Sequence, residues 1–155
     1  MKKQFVILLA GILLASCGTK SGNINTPETI VPIEGTWKLI SGTLIENGDT
    51  TVTDYTGKVS FIKIINDTHF AFLHHDLNHG KDSTAVFVAG GGRYSLSDSI
   101  YTEHLEYCND RAWEGNDFSF VVTIKDDTLI QQGIEIIEEA GINRLNMETY
   151  VRTRQ

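Results

Sequence analysis

Short runs of β-branched and aromatic residues, each closed by a turn signal, recur along the chain from Gly35 to Arg152. Within most runs apolar and polar residues alternate, which is the period of a β-strand. Asn47-Gly48 is a strong two-residue hairpin signal, and Asn66-Asp67 and Asp126-Asp127 end later runs. No internal repeat and no long helical period interrupts the succession. The pattern is typical of an antiparallel sandwich or barrel.

The turn signals divide this region into ten candidate strands. They cover residues 37–44, 50–55, 59–65, 69–75, 85–88, 93–96, 100–107, 118–125, 128–132 and 144–152. Gly90, Gly91 and Gly92 separate the fifth from the sixth, and there we expect a bulge or a sharp corner. Eight to ten antiparallel strands in roughly 120 residues predict an all-β fold, a single up-and-down β-barrel without exposed edges.

One segment departs from the strand pattern. Ile134, Ile137 and Ala140 are spaced as one apolar helical stripe, and Gly141 stands where a helix would stop. We therefore expect a short helix of about two turns at most before the last strand.

The first 16 residues have the order of a secretory signal. Two lysines precede an apolar run over residues 5–14, and small residues follow it before Cys17. The run is shorter than the roughly 20 residues of a membrane span. Leu14-Ala15-Ser16-Cys17 resembles the lipobox of bacterial lipoproteins, which implies cleavage before Cys17, acylation of that residue and the lipid bilayer as its partner. An ordinary signal peptide followed by a chance cysteine is the alternative.

Composition divides the rest of the chain. Residues 17–33 are rich in Gly, Ser, Thr and Asn and contain both prolines, which is typical of a tether. We therefore predict a signal peptide over 1–16, a lipidated tether over 17–33 and a barrel domain over 34–155. The resemblance to lipoproteins, with Gly18 and no acidic run after the cysteine, implies an outer-membrane location facing the periplasm.

Charge and cysteine content exclude some functions. Cleavage would remove Lys2 and Lys3 and take the formal charge from −7 to −9, and so acidic a domain is a poor partner for nucleic acid or an anionic lipid surface. Cys108 is the only other cysteine, so the mature chain has no internal disulfide, and we expect this thiol to be buried.

The first and last predicted strands carry a family resemblance. GTWKL begins the first, and TYVRTR ends the last. Together they resemble the calycin superfamily, in which lipocalins carry Gly-x-Trp on the first strand and cover the tryptophan with an arginine from the last. Gly35 and Trp37 match, and Arg152 or Arg154 is the covering arginine. FAFLHHD, GGGRYSL and YTEHLEYC resemble lipocalin-like lipoproteins of the Bacteroidetes type, whose function is largely unassigned.

The chain also departs from these families, so their ligand preferences are not carried over. It lacks the two helices that follow the first strand of fatty-acid-binding proteins, and Tyr150 and Arg152 stand in the reverse order of their Arg-x-Tyr pair.

Alternation divides the last strand into two faces. Because unpaired buried charges are costly, we expect the charged face in water; the alternative turns it inward, where Tyr150 and Arg152 would receive an anionic group. The charged face is Arg144, Asn146, Glu148, Tyr150 and Arg152, and the apolar face is Leu145, Met147, Thr149 and Val151.

Two further strands offer cavity residues. On the strand over 100–107, either the row that contains Glu103 or the row that contains His104 can line a cavity. If Phe70 and Phe72 face inward, so does His74.

The segment HHDLNHGKD contains three histidines and two aspartates, side chains that can bind a metal ion. Adjacent histidines on a strand point to opposite faces, however, and no His-Glu-x-x-His helix or paired Cys motif supports the site. We therefore predict a polar loop at the barrel mouth and no metal at these residues, which are His74, His75, Asp76, His79 and Asp82.

No catalytic motif is recognisable, so we expect a binding protein rather than an enzyme, with no cofactor. The sequence predicts that the barrel binds a small, partly apolar molecule, hydrophobic or anionic. One alternative is a filled barrel that acts by its surface as an envelope assembly or inhibitor module; another is a calycin-type enzyme that uses an inward histidine.

Trp113 either gates the mouth of the barrel or folds back into it as a plug. The candidate ligand-binding residues are Trp37, His74, Glu103, His104, Trp113, Tyr150 and Arg152; Cys17 is the lipid attachment site, and Gly35, Trp37 and Arg152 are the fold motif.

Overall fold

The computed structural model of the chain describes residues 31–154, which contain nine strands and two single 3₁₀ turns. Every pair of hydrogen-bonded strands is antiparallel. No helical segment in this range is long or apolar enough to span a membrane. The strands are β1 (Gly35–Glu46), β2 (Asp49–Asp54), β3 (Val59–Ile65), β4 (His69–Asp76), β5 (Phe87–Ser97), β6 (Ile100–Cys108), β7 (Asp117–Lys125), β8 (Thr128–Ile137) and β9 (Ile142–Arg152).

The barrel closes through β1. One edge of β1 pairs with β9, from Trp37 opposite Arg152 to Ile45 opposite Leu145. The other edge is divided, because its first residues pair with β3 and its later residues pair with β2. Eight strands therefore form a closed barrel and β2 is an extra strand beside it. The predicted all-β, antiparallel up-and-down barrel is confirmed.

The three glycines lie inside one strand rather than between two. β5 continues through them, with a register shift against β6 between Gly91 and Gly92. A Cβ on Gly90 would lie 2.6 Å from Phe72 Cζ and 2.7 Å from the Tyr107 carbonyl oxygen. Only glycine allows this approach. The predicted bulge is confirmed, and the predicted division into two strands is wrong.

The predicted short helix is a single 3₁₀ turn over Glu138–Ala140. Gly141 does end it, in the left-handed conformation with φ of 68°. Ile134 and Ile137 belong to β8, where they pair with β9. Their β-branched side chains favour a strand, and the hydrogen bonds between β8 and β9 outweigh the helical tendency that their local spacing indicates.

The core fills the end of the barrel at which β1 begins. Its largest side chains with less than 2% exposure include Trp37, Tyr101, Tyr150 and Leu129. Ile33 is 2% exposed and belongs to this core, so the folded part of the chain starts before residue 34 and includes the last residues assigned to the tether.

Candidate functional site

The charged face of β9 points into the barrel. Asn146, Glu148 and Tyr150 line an internal cavity, against the expectation that this face lies in water. The expectation failed because it counted the charges of β9 as unpaired, whereas β8 supplies partners for them. A row can face inward when its polar groups are hydrogen-bonded, as those of Arg144, Asn146 and Glu148 are here.

On β6 the inward row is the one that contains Glu103. Tyr101, Glu103 and Leu105 are 0%, 7% and 4% exposed. His104 points outward, where its Nδ1 lies 2.9 Å from Asp117 Oδ1 and its side chain is 38% exposed. The structure therefore brings Glu103 to the cavity and does not bring His104 there.

The cavity has a volume of about 270 Å³ and lies away from Trp37, next to the core, and core residues such as Leu105, Phe118 and Tyr150 form part of its wall. Its walls are mainly aromatic and aliphatic, and its hydrogen-bonded polar groups form two clusters, one at the floor and one near the mouth. The apolar lining residues are Phe61, Phe72, Val88, Leu105, Cys108, Trp113, Phe118, Phe120 and Tyr150, and the polar ones are Lys63, Glu103, Asp110, Gln131, Glu135, Asn146 and Glu148.

A buried hydrogen-bond chain forms the floor of the cavity. Lys63, which is 2% exposed, donates from Nζ to Glu103 Oε1 at 2.6 Å and to Gln131 Oε1 at 3.0 Å. Gln131 Nε2 in turn donates to Glu148 Oε2 at 2.8 Å, and the Tyr150 hydroxyl donates to the same oxygen at 2.8 Å. Residues from four strands are thereby held in one network.

Aromatic rings surround the Lys63 ammonium. Its Nζ lies 5.3 Å from the ring centroid of Tyr150 and 5.9–6.0 Å from those of Phe70, Tyr101 and Phe120. These distances fit cation–π attraction, which strengthens when the cation is removed from water. Burial, together with the carboxylates of Glu148 and Glu103, holds the pKa of Tyr150 well above its ordinary value, so this hydroxyl stays a neutral donor.

A second polar group lies near the mouth. Glu135 accepts from Arg144 Nε at 2.7 Å and from Asn146 Nδ2 at 2.8 Å. The Arg144 guanidinium sits 5.1 Å from the ring centroid of Trp113, and that ring lies 5.6 Å from Phe118. Trp113, placed by the 3₁₀ turn Arg111–Trp113, is thus folded against the wall and lines the cavity.

The closed end holds the residues of the lipocalin-like motif. The Arg152 guanidinium covers the Trp37 ring at 4.0 Å and donates to the carbonyl oxygens of Glu34 and Pro32 at 2.5 and 2.9 Å. Trp37 Nε1 donates to Ile33 O at 2.7 Å. Gly35 has a φ of 142°, and the guanidinium occupies the place of its missing Cβ. Trp37 and Arg152 therefore close the barrel and do not line the cavity.

His74 faces inward but stands beside the cavity rather than on its wall. Its ring lies 5.4 Å from Phe61 and 5.7 Å from Tyr55, and its buried Nε2 has no hydrogen-bond partner among residues 31–154. Burial lowers its pKa, and the neighbouring His75 lowers it further.

His74 is expected to make stability fall below neutral pH. Its folded pKa lies below the unfolded value of about 6.5, so the unfolded chain binds more protons. The contribution of neutral His74 to the free energy of unfolding is complete above pH 6.5. It is lost as the pH falls from there through the folded pKa, and the free energy of unfolding then falls by at most about 1.4 kcal/mol per pH unit. Urea unfolding measured between pH 7.5 and 5 should show that the free energy of unfolding falls less steeply with pH in His74→Phe than in the wild-type protein. His79→Asn, on an exposed loop, should keep the wild-type slope, and equal slopes in all three proteins would contradict this assignment.

The HHDLNHGKD loop is held by its own hydrogen bonds. Asp76 accepts from the backbone N–H groups of Asn78, Gly80 and Val86. Across the described part of the chain, no three His, Cys, Asp or Glu side chains converge as metal ligands would. Cys108, 7% exposed, is buried as expected, and burial raises the pKa of its thiol.

Sequence reasoning did not single out the centre of the floor. Lys63 and Gln131 lie in apolar surroundings on β3 and β8, and each occupies an inward position of its strand. The usable signal was in VSFIKII, where Lys63 alternates with Phe61 and Ile65. A lysine in phase with an apolar row indicates a buried, paired charge.

Comparison with known proteins adds no assignment: the chain matches no protein-family model and no curated protein.

Proposed function

We propose that this protein is a lipocalin-like binding protein that takes a small, partly apolar molecule into its barrel. The observation that carries the proposal is the cavity of about 270 Å³ with aromatic walls and a polar floor. Convergent polar groups at one side of an apolar pocket orient a ligand and make its binding specific.

The volume limits the ligand to a small molecule. Ligand pockets usually begin at about 300 Å³, and a cavity of about 150 Å³ already holds benzene. The barrel therefore suits a molecule with one or two rings or a short chain, and it is too small for a long fatty acid.

The two alternative functions have less support. A barrel acting only by its surface would need no cavity between Trp113 and the Lys63 floor. An enzyme using an inward histidine would need that ring on the cavity wall, whereas His74 lies behind Phe61 and His104 points outward.

Membrane attachment through acylated Cys17 is part of the proposal, with an outer-membrane location facing the periplasm. Cys17 lies outside the described residues, so the support is the lipobox-like sequence alone. The chain enters the barrel at the end covered by Arg152, opposite the cavity mouth. Attachment at that end leaves the mouth free for a ligand.

Binding in the cavity is testable by tryptophan fluorescence. A library of small aromatic and aliphatic compounds should contain members that quench the protein saturably, because Trp113 lines the cavity. Val88→Phe fills part of the cavity and should weaken those members about tenfold or more.

Val121→Phe is the matched control, since Val121 is 44% exposed on the outer face of β7. It should bind like the wild type. Absence of saturable quenching by every compound, or equal binding by the folded Val88→Phe variant, would refute cavity binding and favour the filled-barrel alternative.

A further inference from the structure

The charges around the cavity do not balance. Lys63 is matched by Glu103 at 2.6 Å, and Arg144 is matched by Glu135 at 2.7 Å. Glu148 also lines the cavity, but no lysine, arginine or histidine among residues 31–154 lies at ion-pair distance from it. The carboxylates of Glu148 and Asp110, which has no ion-pair partner in this range either, are therefore the unmatched charges of this site.

The hydrogen bonds of Glu148 leave one oxygen for a ligand. Gln131 and Tyr150 both donate to Oε2, and no donor within residues 31–154 reaches Oε1. The orientation of Gln131 is set by Lys63, because its amide oxygen accepts from the ammonium and its NH₂ must then face Glu148. The free oxygen is thus held in place before a ligand arrives.

The walls beside Glu148 also favour a positive charge. Phe61 and Phe72 are stacked with centroids 5.9 Å apart, and the Tyr150 ring lies 6.4 Å from Phe61. Aromatic faces attract cations through their quadrupole. The protein already uses this attraction once, since the Lys63 ammonium is held among four rings in the layer beneath.

We propose that the cavity ligand is a small organic amine, whose ammonium group pairs with Glu148 Oε1 while its apolar part packs against Phe61, Phe72 and Trp113. This rests on the proposed function, because it assigns the ligand class of the same cavity. It excludes the anionic ligand that was one of the alternatives from the sequence, since an anion would face Glu148 and Asp110 with no free cation on the wall.

Isothermal titration calorimetry with three compounds of similar shape tests the ligand class. The compounds are 2-phenylethylamine, 2-phenylethanol and 3-phenylpropionate at pH 7.5. The wild-type protein should bind the amine at least about tenfold more tightly than the alcohol, because the ammonium places a full positive charge against the Glu148 carboxylate, whereas the hydroxyl is a neutral donor. The carboxylate should bind most weakly. This comparison needs no variant.

Glu148→Gln should remove most of the preference, because the amine loses its ion pair and weakens about tenfold, whereas the alcohol exchanges a carboxylate acceptor for an amide acceptor and weakens less. Glu138→Gln, which changes an exposed carboxylate outside the barrel, should bind all three compounds as the wild type does. Tighter binding of the alcohol or the carboxylate would overturn the amine assignment and leave cavity binding intact. An amine preference that survives Glu148→Gln in a folded protein would overturn the role of Glu148. Failure of all three compounds to bind would contradict the amine assignment, whereas the library screen decides cavity binding itself.

Discussion

Replacing Lys63 with methionine is expected to lower the free energy of unfolding by about 3–5 kcal/mol, the usual effect of removing one partner of a buried ion pair. Glu103, at 7% exposure, would lose the ammonium that lies 2.6 Å from its carboxylate. Gln131 would lose the donor that fixes its amide, and with it the orientation of its bond to Glu148. Urea denaturation followed by tryptophan fluorescence measures the loss.

Two further proteins show whether pairing is the cause. Lys63→Met combined with Glu103→Leu removes both charges and should recover most of the stability, because apolar replacement of a whole buried pair is often neutral or better. Arg93→Met breaks an exposed ion pair with Glu106 and should change stability by about 0–1 kcal/mol. If Lys63→Met and Arg93→Met have the same small effect, the floor network does not stabilise the barrel.

Replacing Cys17 with serine is expected to abolish lipid attachment completely. In the proposed attachment the thioether to diacylglycerol would form on the Cys17 sulfur, and serine offers no thiol. Because membrane retention depends on apolar acyl chains, at about 0.8 kcal/mol for each buried methylene, the protein should move from the membrane fraction to the soluble fraction. Incorporation of labelled palmitate in a bacterial host, followed by fractionation, measures both effects.

Cys108→Ser is the matched control for that experiment. Cys108 is 7% exposed in the barrel, so its replacement should leave labelling and fractionation unchanged. Label retained by the Cys17→Ser protein would refute the lipobox interpretation, and unlabelled wild type that fractionates as soluble would favour an ordinary signal peptide.

Most of the strand pattern was predictable because it depends on local chemistry. Turn pairs such as Asn47-Gly48 and Asp126-Asp127 do separate strands, and both Asn47 and Asp126 adopt the positive φ that such turns need. The short helix was mispredicted because Ile134 and Ile137, three residues apart, would share one face of a helix, whereas in β8 they lie on opposite faces of the strand and are 61% and 5% exposed.

The inward faces were less predictable, because one extra residue reverses them. The register of β1 against β9 shifts between Leu39 and Ser41, so Gly42 and Leu44 continue the inward row of Trp37, where strict alternation would have placed Ser41 and Thr43. The cause is a long-range pairing that no neighbour of Ser41 reveals.

The sequence by itself determined the antiparallel all-β barrel, an irregularity at the three glycines and the proximity of Trp37 to an arginine at the end of the chain. These follow from periodicity, turn chemistry and one recognisable motif, each readable within a few residues. Only the tertiary structure decided which charges are buried. Lys63 lies 40 positions along the chain from Glu103 and 68 positions from Gln131, its two hydrogen-bond partners. A lysine is tolerated in the interior only when such partners meet it, and barrel closure, not local sequence, brings them together.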